Sequence, residues 1–291
     1  MNPIWTHHLS PFLWSINLNG QPVGIRWYGL AYLLGFVMGY LVLRRAALRG
    51  EIHNLTQPVL DRLVGALIAG VVLGGRLGFV AQNVPAWRAD PLFPFKVWSG
   101  GMAFFGDLLG VLLAVVWAVR RYQLRFWQVT DALTFPSALG LGIGRLANFI
   151  NGELVGAPTD GKWGVIFPKV DALPRHPSQL YEAASHFALW ALLLFLAHKH
   201  RGWTYGRAGR LSLVFLSFYG FARFGTDFFR ADDTYFGPLS SGQWASLLVG
   251  LAGIILIRRA RGKSDGGSNV GTQELEEGTR RSSASTVEDP S

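Results

Sequence analysis

The chain has 291 residues, of which 50% are apolar and only 15% charged, with 36 glycines and 11 tryptophans. Long apolar runs recur along its whole length, which excludes an ordinary soluble domain, and the net charge of +9 sits mostly in the short connections between them, so the basic residues point to a membrane rather than to nucleic acid. There is no cysteine, which excludes disulfides, thiolate metal sites and a cysteine nucleophile.

In chain order, Met1 to Gly24 holds no lysine or arginine and no long apolar core, so no signal peptide is predicted and the first spanning helix directs insertion. A span needs roughly 20 largely apolar residues. About seven stretches meet that requirement: Arg26–Leu43, Leu60–Asn83, Gly101–Val119, Thr130–Ile150, Ala183–Ala197, Leu211–Phe229 and Leu239–Ile257. The fifth is short. The predicted fold is an all-α membrane protein, with residues 1–262 as one polytopic domain. Residues 263–291, rich in Ser, Gly, Glu and Thr, form a disordered tail.

Basic residues set the orientation. Arg44, Arg45 and Arg49 follow the first span, and Arg120, Arg121 and Arg125 the third. Lys199, Arg201, Arg207 and Arg210 follow the fifth, and Arg258, Arg259, Arg261 and Lys263 the seventh. The alternate connections are poorer in base and include Asp90, Glu153, Asp160, Asp171 and Asp232. This places the N-terminus outside, the C-terminus in the cytoplasm, and Asn151–Glu182 as the largest outer loop. Ser240-Ser241-Gly242-Gln243 reads as a capping box opening the last helix beside Trp244.

Ionisable groups inside spans are costly, so each is a functional candidate. Tyr219, Arg223, Asp227 and Arg230 fall within roughly 80° of one helical face. An Arg223–Asp227 pair would by itself let both groups survive in the bilayer. Arg145 and Asn148 share a face, and Asn151-Gly152-Glu153 marks the helix end, from which Glu153 is able to turn back towards the arginine. Arg76, flanked by glycines, either snorkels to the interface or contacts substrate. Arg76, Arg145 and Arg223 lie past the midpoints of outward-running helices, and Tyr28 opens an inward-running one. The polar groups therefore collect in the outer half of the bilayer, where guanidinium groups suit the phosphate of a lipid headgroup.

The stretch Gly144-Arg145-Leu146-Ala147-Asn148-Phe149-Ile150-Asn151-Gly152-Glu153-Leu154-Val155-Gly156 closely resembles the signature of the prolipoprotein diacylglyceryl transferase family. Further matches are Arg26-Trp27-Tyr28-Gly29-Leu30, Leu73-Gly74-Gly75-Arg76, Val97-Trp98-Ser99-Gly100-Gly101-Met102, Arg175-His176-Pro177-Ser178-Gln179-Leu180-Tyr181-Glu182 and the stripe from Tyr219 to Arg230. The resemblance implies a bacterial inner-membrane enzyme with a periplasmic-side site. It would transfer diacylglyceryl from phosphatidylglycerol to the lipobox cysteine of a preprolipoprotein signal peptide, form a thioether and release glycerol phosphate. No metal or diffusible cofactor is implied. By the same resemblance Arg145 and Arg223 bind the phosphate, Asn148 and Glu153 position or polarise it, Tyr28 and Tyr219 line the pocket and Asp227 orients Arg223. Asn151, His176 and Arg76 complete the site, His176 alternatively serving only to fix its loop.

Two stretches depart from the family pattern. A histidine followed by two glycines is common where this chain has Phe105-Gly106-Asp107, and many relatives have glutamate at the position of Asp227. Phenylalanine accepts no proton. Asp107 lies about 200° around the helix from position 105, so it either enters the same cavity from a neighbouring face or pairs with an arginine. The alternative readings are a non-catalytic or altered-specificity lipid-binding relative and, more weakly, an anion transporter.

Overall fold

The computed structural model describes residues 4–18, 21–96, 101–161, 163–199, 208–231 and 235–259. The tail at 263–291, the basic residues Arg201, Arg207, Arg261 and Lys263, Asp232 and the Val97–Gly100 part of one matched motif lie outside them. The described residues are mostly helical. Seven long helices stand where apolar runs predict them, with ends moved by up to five residues: α1 (Trp27–Leu48), α2 (Gln57–Gln82), α4 (Phe104–Tyr122), α5 (Phe126–Asn151), α6 (Ser178–Lys199), α7 (Arg210–Asp227) and α8 (Ser241–Arg259). A short helix, α3 (Val84–Ala89), follows α2.

Four of these helices, α1, α2, α6 and α8, are long and apolar enough to cross a membrane. The other three long helices carry Asp107, Asp131 and Arg145, and Arg210, Arg223 and Asp227. Apolar side chains face outward, including Leu33, Leu34 and Val37 of α1 and Leu108, Leu109 and Leu113 of α4. Such a surface is stable against hydrocarbon and unfavourable against water. The chain is a membrane protein.

Helix contact depends on small residues. Gly70 and Gly74 of α2 lie against Gly110 and Gly106 of α4, so closely that a Cβ on Gly74 would overlap the Gly106 carbonyl oxygen. Without water exclusion as a driving force between helices, this backbone approach supplies the van der Waals contact that holds the pair. The capping box at the start of α8 forms as predicted: the Ser240 N–H donates to Gln243 Oε1 at 2.8 Å and the Gln243 N–H donates to Ser240 Oγ at 3.1 Å.

The strictly all-α expectation is corrected by short strands. β2 (Phe12–Leu18) and β3 (Gln21–Arg26) form an antiparallel hairpin. β1 (Trp5–Thr6) pairs in parallel with β4 (Val165–Ile166), which pairs antiparallel with β5 (Pro174–Arg175). β6 (Tyr235–Phe236) and β7 (Leu239–Ser240) precede α8. The two-residue strands are too short for any alternation to register beside the helical runs.

The strands also define one end of the bundle. The His7 N–H donates to the Ile166 carbonyl at 2.8 Å, and its Nε2 lies 2.8 Å from the Phe149 carbonyl near the end of α5. Four residues on, the Pro11 carbonyl accepts from Trp27 N–H at the start of α1. The Ala157 N–H donates to the Phe229 carbonyl just beyond α7. The N-terminal segment, the start of α1, the ends of α5 and α7 and the connection at 152–177 therefore share one end.

Candidate active site

Three helices bring the site together at that end. α5 ends in the motif Asn148-Phe149-Ile150-Asn151-Gly152-Glu153. Gly152 adopts φ 71°, and its N–H donates to the Phe149 carbonyl while the Glu153 N–H donates to the Asn148 carbonyl, both at 3.0 Å. This closing turn needs a left-handed residue, which glycine takes without a steric penalty. It ends α5 within two turns of Arg145.

α6 begins at Ser178, five residues before the predicted span. The outer loop is correspondingly shorter than the expected Asn151–Glu182. The polar start Ser178-Gln179 hid this turn, but its side-chain donors are used locally: Ser178 Oγ donates to the Leu154 carbonyl at 3.3 Å and Gln179 Nε2 to the Glu153 carbonyl at 2.6 Å. The consequence is that Glu182 lies inside the helix and is 1% exposed.

Glu182 is the hub of the site. Its Oε2 lies 2.8 Å from Arg145 Nε and 3.0 Å from Arg223 Nη1, and its Oε1 accepts from Arg230 Nη1 at 3.0 Å. Asp227 makes the second anchor, with Oδ1 2.9 Å from Arg223 Nη2 and 3.5 Å from Arg230 Nε. The predicted stripe holds on α7 as far as Asp227, where the helix ends; Arg230 lies three residues beyond, in a bridge to Gly156, and still reaches both carboxylates, while Arg145 joins from α5 through Glu182. Against these three guanidinium groups stand two carboxylates, which leaves an excess of one positive charge. Arg223 Nη1 is buried and has no aligned hydrogen-bond acceptor despite its proximity to Glu182.

The start of α8 closes the far side. A Cβ on Gly242 would come within 2.7 Å of Asp227 Oδ2, so the carboxylate sits against the first turn of that helix. Backbone N–H groups there carry partial positive charge and favour an anion. His186, one turn along α6 from Glu182, is buried, with Nδ1 2.6 Å from the Glu182 carbonyl and its ring edge-on to Tyr219 at 5.6 Å. Tyr219 is half-buried beside the arginines.

The other predicted residues divide. Asn148 is buried and accepts from Arg145 Nη1 at 3.4 Å. Asn151 donates to Glu153 Oε1 at 3.4 Å, and Glu153 is exposed. The carboxylate paired with Arg145 is Glu182 and not Glu153, because the closing turn carries Glu153 away from the bundle. His176 lies 3.3 Å from the Tyr181 hydroxyl through Nδ1 and packs edge-on against Phe229, so here it fixes the loop. Arg76 is 6% exposed rather than snorkelling. It donates to the carbonyls of Pro94 at 2.9 Å, Lys96 at 3.2 Å and Gly101 at 3.3 Å, and to that of Phe93, and thereby clamps the connection between α3 and α4. Tyr28 packs on Tyr32, with ring centres 5.2 Å apart, and Tyr32 donates to Asp107 Oδ2 at 3.3 Å. Phe105 is 76% exposed and faces away from the bundle.

Sequence reasoning missed Glu182, Tyr32 and the contact between Gly242 and Asp227. Glu182 had a signal: extending the fifth span by one turn makes it a carboxylate within the membrane, which requires cations.

In connected loop structure outside the helices, Arg175 donates to Asp171 from Nε at 3.1 Å and from Nη2 at 2.5 Å. This pairing holds the Asp171 carboxyl below its ordinary range.

A profile of the prolipoprotein diacylglyceryl transferase family matches residues 15–259. A phosphatidylglycerol–prolipoprotein diacylglyceryl transferase from Geobacter sulfurreducens is 44% identical over 263 residues, covering 87% of this chain and 97% of the relative. Proteins of the same name from Bordetella parapertussis and Nitrosomonas europaea are each 44% identical, over 250 and 247 residues, covering 84% and 81% of this chain and 94% and 86% of theirs. The chain belongs to the prolipoprotein diacylglyceryl transferase family.

Proposed function

We propose that this chain transfers the diacylglyceryl group of phosphatidylglycerol to the lipobox cysteine of a preprolipoprotein signal peptide, forming a thioether and releasing glycerol phosphate. The observation that carries this reading is the charge imbalance at Glu182: three guanidinium groups against two carboxylates fit one phosphodiester anion. When the carbon–oxygen bond breaks, the phosphate gains a second negative charge. Fixed guanidinium groups in a site shielded from water stabilise that developing charge without reorganising. Arg145 and Arg223 hold the phosphate, while Glu182 and Asp227 fix their planes so that the forks face the lipid. Asn148 steadies Arg145 and Tyr219 lines the pocket, with Glu153, Asn151 and Tyr28 at its rim.

In this reading all seven long helices span the bacterial inner membrane. The charged faces of α5 and α7 turn towards α6 instead of lipid, which is why those helices are less apolar than the rest. The end holding the N-terminal segment and loop 152–177 faces the periplasm, and the arginine-rich ends of α1 and α4 face the cytoplasm. The phosphate site then lies in the outer half of the bilayer, where both the lipid headgroup and an emerging signal peptide arrive.

The test uses the full chain in phosphatidylglycerol vesicles with a lipobox peptide, followed by mass spectrometry. The peptide should gain one diacylglyceryl group in thioether linkage, and Arg145→Ala or Arg223→Ala should abolish the gain. No product from folded wild-type protein, or near-normal rates in both variants, would refute the assignment.

A further inference from the structure

A thiol with a pKa near 8.5 must lose its proton before it attacks carbon. The carboxylates of the arginine cluster supply no acceptor for it. Glu182 faces three guanidinium groups and Asp227 faces two, which makes both poor bases. Asp131, at the other end of α5, accepts from Gly209 N–H at 2.6 Å and from Ser212 N–H at 2.8 Å, so it caps α7. Among the described residues one further carboxylate enters the helix bundle, Asp107.

Its setting differs from the others. Asp107 lies in the first turn of α4, over Gly75 of α2, where a Cβ would overlap its Oδ1. Only a glycine at 75 leaves room for this carboxylate. Among the described residues Oδ1 is buried without a hydrogen-bond partner, and Oδ2 accepts from Tyr32 alone, at 3.3 Å. Among the described residues no arginine or lysine pairs with it. A carboxylate with one neutral donor and no cation keeps the basicity that Glu182 and Asp227 have lost.

Its depth is also appropriate. Gly39 of α1 meets Pro136 of α5, the Pro136 side chain lying 3.9 Å from a Cβ built on the glycine. The two helices run in opposite directions, since the start of α1 and the end of α5 share one end of the bundle. Seven residues from that contact, about 10 Å along each axis at 1.5 Å per residue, lie Tyr32 on α1 and Ile143 on α5. Ile143 is two residues from Arg145, so Tyr32 and its partner Asp107 stand at about the depth of that arginine.

We infer that Asp107 is the proton acceptor for the substrate thiol, with Tyr32 and Tyr28 forming the hydrogen-bonding wall beside it. This rests on the transferase reading. The cysteine S–H gives its proton to Asp107 Oδ2, and the thiolate forms a bond to the glycerol carbon that bears the phosphate. The bond from that carbon to the phosphate oxygen breaks, the electron pair leaves on glycerol phosphate, and Asp107 returns its proton to the departing phosphate or to water. Position 105, facing away from the bundle, takes no part.

The experiment compares wild type, Asp107→Asn and Phe105→Ala of the full chain in phosphatidylglycerol vesicles. Each receives a cysteine lipobox peptide and the same peptide with selenocysteine, which is already ionised at neutral pH. Asp107→Asn should lose about 100-fold or more with the cysteine peptide, the usual scale of general-base catalysis, with KM for phosphatidylglycerol unchanged. The selenocysteine peptide should recover most of that loss, and Phe105→Ala should remain near wild type. An Asp107→Asn rate within a few-fold of wild type overturns the inference, as does an equal loss with both peptides, which marks a structural role. No transfer by the wild type with either peptide overturns the transferase reading itself, and this inference with it.

Discussion

Glu182→Gln keeps the shape of the hub and removes its charge. Glu182 is 1% exposed and stands within 3.0 Å of three guanidinium groups, so the substitution removes the carboxylate that Arg145, Arg223 and Arg230 share and leaves Asp227 beside Arg223 and Arg230. One neutral amide then replaces a carboxylate in a site with two excess positive charges instead of one. Removing one partner of a buried ion pair costs about 3–5 kcal/mol, because the remaining charges are left uncompensated. At roughly 2 °C per kcal/mol for a domain of this size, Tm should fall by about 6–10 °C. The arginines also separate, and a displacement of about 1 Å at a reacting group costs on the order of 100-fold in rate. The assay pairs a thermal melt in detergent with the vesicle transfer reaction. Excess phosphatidylglycerol should recover part of the lost Tm, since its phosphate supplies the missing negative charge. A variant melting within about 2 °C of wild type by this scale and turning over within about threefold would refute the role of Glu182 as the counter-ion hub.

Gly242→Ala places a methyl group 2.7 Å from Asp227 Oδ2 and must push the carboxylate off Arg223; turnover should fall roughly tenfold with little change in expression, and an unchanged kcat would show that Asp227 has slack. Gly74→Leu drives a side chain into the Gly106 carbonyl of α4, so no monodisperse protein should elute on size exclusion in detergent; a normal elution profile would show that the two helices separate easily. Asp171 titrates below its ordinary value because of Arg175, so its contribution to loop order is present above the unfolded pKa of about 3.9 and is lost as pH falls through the lower folded value. Hydrogen exchange of loop 152–177 should be steady relative to intrinsic rates from neutral pH to about pH 5 and accelerate below about pH 4, an acceleration that Asp171→Asn shows already at neutral pH.

Much of this organisation is legible in the chain. The apolar runs give all seven long helices, since a bilayer demands length and apolarity more than periodicity. The capping box at Ser240 and the helix end at Gly152 rest on local chemistry and appear where their residues stand. The stripe from Tyr219 to Asp227 follows from helical spacing, whereas Arg230 joins it from beyond the helix end. What spacing does not supply is pairing between helices. Glu182 lay just outside a span drawn by apolarity, because Ser178 and Gln179 hydrogen-bond to loop carbonyls that the sequence cannot place. Arg76 was expected at the interface or the substrate, yet loop carbonyls around it consume its donors. Asp107 was open between a cavity and an arginine, and the structure turns it onto Tyr32 and Gly75. Of the strands, β1 depends on a partner far along the chain, β4.

The central claim is that the cluster of Arg145, Arg223 and Arg230 around Glu182 serves lipid transfer to a prolipoprotein. The most direct measurement is growth of a bacterial strain depleted of its own diacylglyceryl transferase and supplied with this chain. The wild-type chain should restore growth and the lipid modification of a reporter lipoprotein, while Arg145→Ala and Arg223→Ala, present in the membrane at equal level, should restore neither. Rescue by both arginine variants, or no rescue by the folded wild-type chain, would contradict the account.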